Sequence, residues 1–474
     1  MRSLAILPFL AVVAACAVGP QYRTPALPLP VAYAAVNPAL SRDAPADRWW
    51  SAFGDPVLDA LVEAAIADNP DLATAEARVR QMRARARIAG AAFYPGATAM
   101  ARVSRDKLSR NGENLALIPF TPATTQFTDY RLGFDTAWEI DLAGRTRREV
   151  EAAVARFGSA IESRNDAQVV IAAEVTSTYV EYRVADARLS LARRNVAAAD
   201  EDLRLVGLQE HAGVASASDL GRGEADRQAT VARVPALESA RDGAIFRLAA
   251  LTAQSDAALA VRLAAPMAIP AVPAVTPIGL PSELLRRRPD VRRAERELAA
   301  ATADVGGAVA AQFPRLSLLG DFGWDSVRSG DLTSAASRYW NFAPQLSVPL
   351  FAGGRLRRQV ESAEAARDAA TASYRATVLR AFADTESALV QYAGERTRHA
   401  SLASAAAALA ANLDHERRRY SAGDASMVDV LAAERAATAA EDEQAAGTGQ
   451  LALDYVALGK ALGGGWQLAG AAER

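Results

Sequence analysis

Cysteine, histidine and lysine are nearly absent from this 474-residue chain, and each scarcity narrows what the chain can do. A single cysteine, Cys16, excludes an internal disulfide framework. His211, His399 and His415 are the only histidines, and no two stand at metal-ligand spacing. The five methionines do not cluster, so a copper relay has no support. Lysine is confined to Lys107 and Lys460, and with a net charge of −2 and no clustered basic face, nucleic acid is not an expected partner. Aromatic residues make up only 6%, so the core must come from many small contacts between close-packed helices. The glycine-rich stretches AGGRLRR (352–358) and LGGGW (462–466) lack the lysine of a phosphate loop and read as turns. With no nucleophile–base constellation either, the chain reads as something other than an enzyme, without metal or cofactor. Beyond the first residues, no run of about eighteen uncharged apolar residues occurs, which argues against a helical membrane span in the mature chain.

What is present begins at the N-terminus. Residues 4–15 (LAILPFLAVVAA) form an apolar run preceded by Arg2, the size of a signal-peptide core and too short to span a bilayer. The small residues Val13-Ala14-Ala15 before Cys16 resemble a bacterial lipobox, with cleavage before Cys16 and acylation of its thiol. An ordinary signal peptide with an incidental cysteine is the alternative. Ala17, in place of an aspartate, fits sorting to the outer membrane.

An internal repeat organises the rest. DLAGRTRREVEAA (141–153) matches LFAGGRLRRQVESA (350–363) at an offset of 210, pairing Arg145 with Arg355 and Glu151 with Glu361. The same offset aligns HAGVASASDL (211–220) with SAGDASMVDV (421–430), so Gly213, Ser216 and Asp219 fall on Gly423, Ser426 and Asp429. An earlier match, NPDLATAEARV (69–79) with RPDVRRAEREL (288–298), runs at 219, which places a variable loop between Pro95 and Arg145. The expected division is a signal peptide (1–15), a lipidated Pro-rich segment (16–48), a first repeat (49–264), a Pro-rich joint (265–281), a second repeat (282–462) and a flexible tail (463–474).

Each repeat reads as helix, β-hairpin, very long helix, turn, helix. Residues 145–210 and 355–420 lack proline and carry apolar residues at three- and four-residue steps. A helix of that length rises roughly 100 Å, more than a globular domain needs, and implies a coiled-coil-like assembly. Helices at 216–252 and 426–462 follow the turns. The hairpins, at about 95–141 and 314–350, alternate with period two. In 130–141, Tyr130, Leu132, Phe134, Thr136, Trp138 and Ile140 oppose Arg131, Gly133, Asp135, Ala137, Glu139 and Asp141. Trp324 and Trp340 lie on the corresponding apolar faces. Tyr130, Trp138, Trp324 and Trp340 suit membrane interfaces, with lipid on one side and water on the other; a half-buried sheet gives the same alternation. Four strands cannot close a barrel, and open edges in lipid leave backbone groups unsatisfied, so membrane strands here require identical copies to complete the wall.

By these residues the chain resembles the TolC-like outer-membrane efflux proteins, in the lipoprotein branch that serves resistance-nodulation-division (RND) pumps. The resemblance lies in CAVGPQYRTP (16–25), WWSAFGDPVLDALVEAA (49–65), WEIDLAGR (138–145), LPSELLRRRPDVRRAERELAAA (280–301), SVPLFAGGR (347–355) and YSAGDASMVDVLAAE (420–434). It implies a homotrimer with a twelve-stranded outer-membrane β-barrel, four strands per chain, continuous with a periplasmic α-helical barrel. It also implies a lipid on Cys16, a periplasmic adaptor protein and an inner-membrane RND transporter as partners, and a passive exit duct for small molecules as function. A periplasmic gate is implied at the helix–turn tips, with Asp219, Asp429, Arg222 and Asp424 as candidates. Ala432 stands where some members carry a further aspartate. Ser216 and Ser426 read as helix N-caps with the aspartates at capping-box spacing, and Gly213 and Gly423 as C-caps, so capping and gating both remain open. A duct for type I protein secretion and a coiled-coil structural lipoprotein are the competing functions.

Overall fold

Alternation of apolar and polar residues produces the larger of two sheets among the described residues, which in this computed structural model are 17–26, 30–34, 39–109 and 125–467. The described chain forms two compact units. The first comprises the described part of 1–25 together with 80–159 and 294–374; the second comprises 26–79, 160–293 and 375 onward.

The first unit holds a four-stranded antiparallel sheet. Its strands are β1 (Gly96–Lys107), β2 (Gln126–Ile140), β3 (Arg315–Ser326) and β4 (Arg338–Ser347), hydrogen-bonded in that order. Register is continuous across the sheet: Met100 stands opposite Gly133, Gly133 opposite Gly323, and Gly323 opposite Tyr339. β1 and β4 are the outer strands, and each has one unpaired edge in the single chain. Pro344, a poor residue for a central strand, is tolerated because β4 is an outer one. β4 ends at Ser347, so Val348 and Leu350, read from sequence as strand residues, lie beyond it; glycines at 353 and 354 follow with positive φ.

Helices dominate everything else: α1 (Pro56–Asp68), α2 (Pro70–Ala91), α3 (Arg145–His211), α4 (Ala217–Val231), α5 (Val234–Thr252), α6 (Asp256–Leu263), α7 (Pro289–Ala310), α8 (Arg355–Ala422) and α9 (Met427–Ala461). α3 and α8 have 67 and 68 residues, each roughly 100 Å of helix. Among the described residues no single helix is long and apolar enough to cross a membrane.

The expected continuous helix at 216–252 is two helices. α4 ends at Val231 and α5 begins at Val234, with Pro235 in its first turn. A proline has no N–H to donate to the preceding turn and is tolerated only near a helix start. The equivalent α9, with no proline, runs unbroken for 35 residues.

The core of the second unit gathers the scarce aromatics. Trp49 and Trp50 meet edge to face at 5.7 Å, and Tyr455 packs against Trp49, Phe53 and Tyr392. Leu58, Leu61, Val62, Leu248, Leu259 and Leu263 complete it, all fully buried. A polar thread crosses this core. Asp55 caps α1 through Val57 and Leu58 N–H and accepts the Tyr179 hydroxyl; Arg183 donates to Tyr179 at 2.9 Å and to the carbonyls of Leu263 and Ala265 at the end of α6. The expected flexible tail is corrected over its described part: Gln168 donates to the Gly465 carbonyl, Trp466 donates to the Arg287 carbonyl, and Arg292 stacks over the Trp466 ring. Buried indole area and satisfied polar groups hold 463–467 in place.

Candidate functional site

Two features stand out: the two faces of the sheet and the two helix–turn tips. The register sorts every strand residue. One face carries Val103 and Ala99 from β1; Tyr130, Leu132, Phe134 and Trp138 from β2; Leu318, Phe322 and Trp324 from β3; and Trp340, Phe342 and Leu346 from β4. These side chains are open, with Trp340 77% and Phe342 63% exposed, so in the single chain the face shows a broad apolar patch that water would penalise. The four aromatics singled out from sequence all lie on it. Trp138 is near one end and Tyr130 and Trp324 near the other; eight residues of strand separate Trp138 from Tyr130, about 27 Å.

The opposite face is polar. It carries Asp106, Asp129, Asp135, Glu139, Asp321 and Asp325 against Arg102, Arg131 and Arg315. Arg131 donates from Nε to the Tyr339 hydroxyl at 2.7 Å, stacks over its ring at 4.4 Å and lies 3.7 Å from Asp321. Asn341 donates to Asp321.

The tips are near-copies of each other. At the end of α3, Gly213 adopts φ 76° and its N–H donates to the Glu210 carbonyl, while Val214 N–H reaches back to Gln209. At the end of α8, Gly423 adopts φ 83°, with the same bonds from Gly423 to Tyr420 and from Asp424 to Arg419. These are left-handed terminations that glycine accepts without a Cβ clash. Ser216 and Ser426 then cap α4 and α9. Each pairs with the aspartate three residues on in a complete capping box: Ser216 N–H donates to Asp219 at 3.0 Å, and Ser426 N–H to Asp429 at 2.9 Å. The serine hydroxyl, then the serine N–H, holds each carboxyl below its ordinary range. Arg222 lies 3.8 Å from Asp219, while the Asp424 carbonyl accepts from Arg419. The carboxylates of Asp219 and Asp429 are thus each engaged within their own turn.

Sequence reading missed a set of ion pairs between helices, two of which join different repeats. Arg188 of α3 grips Asp442 of α9 with two bonds of 2.7 and 2.9 Å. Arg435 of α9 pairs with Asp226 of α4, and Arg417 of α8 with Glu434 of α9 at 3.4 Å. Among these charges Asp202 of α3 is half-buried; burial, then the nearby Glu434, pushes its carboxyl up to about 6. The pairs between repeats are 254 and 209 positions apart, and no local pattern announces them.

A sheet with one open apolar face, one charged face and two unpaired edges, joined to helices far longer than a globular core requires, defines an outer-membrane channel subunit. The chain belongs to the outer membrane efflux protein family, whose model matches residues 61–254 and 280–464. It is similar to the pyoverdine export outer membrane protein OpmQ of Pseudomonas aeruginosa, at 32% identity over 98% of each chain. It is also similar to nodulation protein T of Rhizobium leguminosarum bv. viciae, at 29% identity over 98% of this chain and 93% of that one. Among solved structures, the outer-membrane channel OprN superposes with a TM-score of 0.87 at 37% identity, covering 95% of this chain and all of that one. The chain is an outer-membrane efflux channel protein that extends into the periplasm.

Proposed function

We propose that three copies of this chain complete a twelve-stranded barrel, with β4 of each pairing β1 of the next, the apolar face toward lipid and the charged face toward a water-filled lumen. The single observation that carries this is the pair of open edges on a two-faced sheet: unpaired backbone in hydrocarbon costs several kcal/mol per group, and closure removes it. Tyr130 and Trp324 toward one rim and Trp138 toward the other then sit near the two interfaces, whereas Trp340, opposite Phe322 and so level with Phe134, lies midway between them and is not an interface residue. A separation of about 27 Å along a strand becomes about 20 Å once tilted, close to the apolar band of known barrels. The acidic excess on the lumen face makes the duct favour cations.

The helices form the periplasmic tunnel, and small molecules pass through it passively. They are delivered by an inner-membrane RND transporter through a periplasmic adaptor; the export and efflux-pump names of the relatives support the efflux role. Cys16, outside the described residues, carries the lipid anchor. The tips form the gate. Asp219 and Asp429 double as caps and as carboxylates that three copies bring near the axis, with Arg222 and Asp424 beside them, and rotation of the tips separates them.

The test is electrical. Purified protein in a planar bilayer should show trimeric, cation-preferring conductance, and Asp219→Ala with Asp429→Ala should raise the open fraction. A trimer that conducts in neither form would defeat the duct; one that conducts equally in both would defeat only the gate.

A further inference from the structure

β4 is a weakly specified strand. It has ten residues, Pro344 lacks a ladder donor, and only Tyr339 and Ala343 are less than exposed. A slip by one residue would turn its apolar set to the wrong face, and a slip by two would misplace the edge offered to the next copy. Something besides the ladder must set its register.

Gly133 is the only buried residue of β2, and Gly323 the only buried residue of β3. They are cross-strand partners of each other, and Tyr339 is the partner of Gly323. A Cβ on Gly133 would lie 2.9 Å from the Tyr339 hydroxyl, and one on Gly323 3.0 Å from its Cε1. The ring therefore lies flat in a notch that two missing side chains leave, and it reaches across β3 to β2. Arg131 closes the far side, with its 2.7 Å bond to the hydroxyl and its guanidinium over the ring. Covering glycine with an aromatic from the neighbouring strand restores the contact area that glycine forfeits. No position two residues away on β4 could repeat this fit, because the notch is a single site with bulkier residues, Asp321 and Asp325, on either side of Gly323 along that face.

We propose that Tyr339 is a positioning residue: its ring, seated in the Gly133–Gly323 notch, sets the register of β4 and so prepares the edge that joins the next copy. The consequence for assembly rests on the barrel reading; the register itself does not. The experiment introduces cysteine pairs into the full chain in outer membranes and reads both disulfide yield and heat-resistant trimer. Leu316→Cys with Leu346→Cys reports the native register, since these residues are partners. Leu316→Cys with Pro344→Cys, or with Val348→Cys, reports a two-residue slip in either direction. The otherwise unaltered chain and Tyr339→Phe, which keeps the ring and loses only the Arg131 bond, should cross-link at the native pair. Tyr339→Ala, and Tyr339→Leu as the milder form that keeps bulk without a flat ring, should lose native cross-linking, gain slipped products and yield less trimer. Native cross-linking in Tyr339→Leu at the level of the tyrosine chain would overturn the proposal, whatever the alanine variant does. Native cross-links without trimer in the tyrosine chain would sink the barrel and leave the register claim standing.

Discussion

At the scale of single residues, close approach matters most where glycine meets tryptophan. Gly459 of α9 lies against the Trp49 indole, and an added Cβ there would fall 2.6 Å from Trp49 Cδ2. Gly459→Val should destabilise the second unit by about 1–3 kcal/mol, as overpacking does, and Trp50→Ala by about 3–5 kcal/mol through the cavity it leaves. Chemical denaturation of detergent-solubilised protein, followed by tryptophan fluorescence, measures both. Asp202 carries a pH signature. Burial pushes its folded carboxyl up to about 6, above its unfolded value, so the folded state takes up a proton first and gains stability as pH falls through about 6 toward the ordinary aspartate range. Protection factors around Asp202, corrected for the intrinsic exchange rate at each pH, should therefore rise between about pH 7 and pH 5, and Asp202→Asn should raise them at neutral pH and remove the dependence. The groups facing Asp202 are Glu434 and Arg435 from α9, Arg417 from α8 and Glu201 on its own helix. The tip aspartates behave oppositely. Their carboxyls are depressed, so the capping contribution is complete above the ordinary aspartate range and fades only as pH falls below it.

At the scale of elements, the strands were legible because alternation with period two is both the pattern and its cause. Tyr130 to Ile140 alternate in the sequence and alternate across the sheet. The long helices were legible for a similar reason: without proline, and with apolar steps of three and four, nothing stops them before Gly213 and Gly423. Pro235 was in plain sight, yet 216–252 read as one helix, because a lone proline marks either a kink or a start and only packing says which. The ion pairs that join the repeats were not legible at all. Arg188–Asp442 and Asp226–Arg435 are part-exposed and open to screening. Raising salt from about 0.1 to about 1 M shortens the screening length from about 10 to about 3 Å, and should speed hydrogen exchange around Arg188 of α3, Asp226 of α4 and Arg435 and Asp442 of α9 while leaving the aromatic core unchanged. Equal exchange at both salt concentrations would show that these pairs hold nothing.

At the scale of the whole molecule, family, repeat and channel role follow from features spread over nearly the entire chain, which is why sequence alone reached them. Residue order determined what is local: the helix and strand periods, the glycine terminations, the capping boxes at Ser216 and Ser426, and the 210-residue duplication, since each depends on neighbours only a few positions apart or on self-comparison. Tertiary structure alone decided what depends on remote partners: the Tyr339 seat on Gly133 and Gly323, the grip of Arg188 on Asp442, the raised Asp202 carboxyl and the packing of 463–467 against Gln168, Arg287 and Arg292. These contacts join residues up to several hundred positions apart, and a side chain's surroundings, unlike its period, are not written in its own stretch of chain.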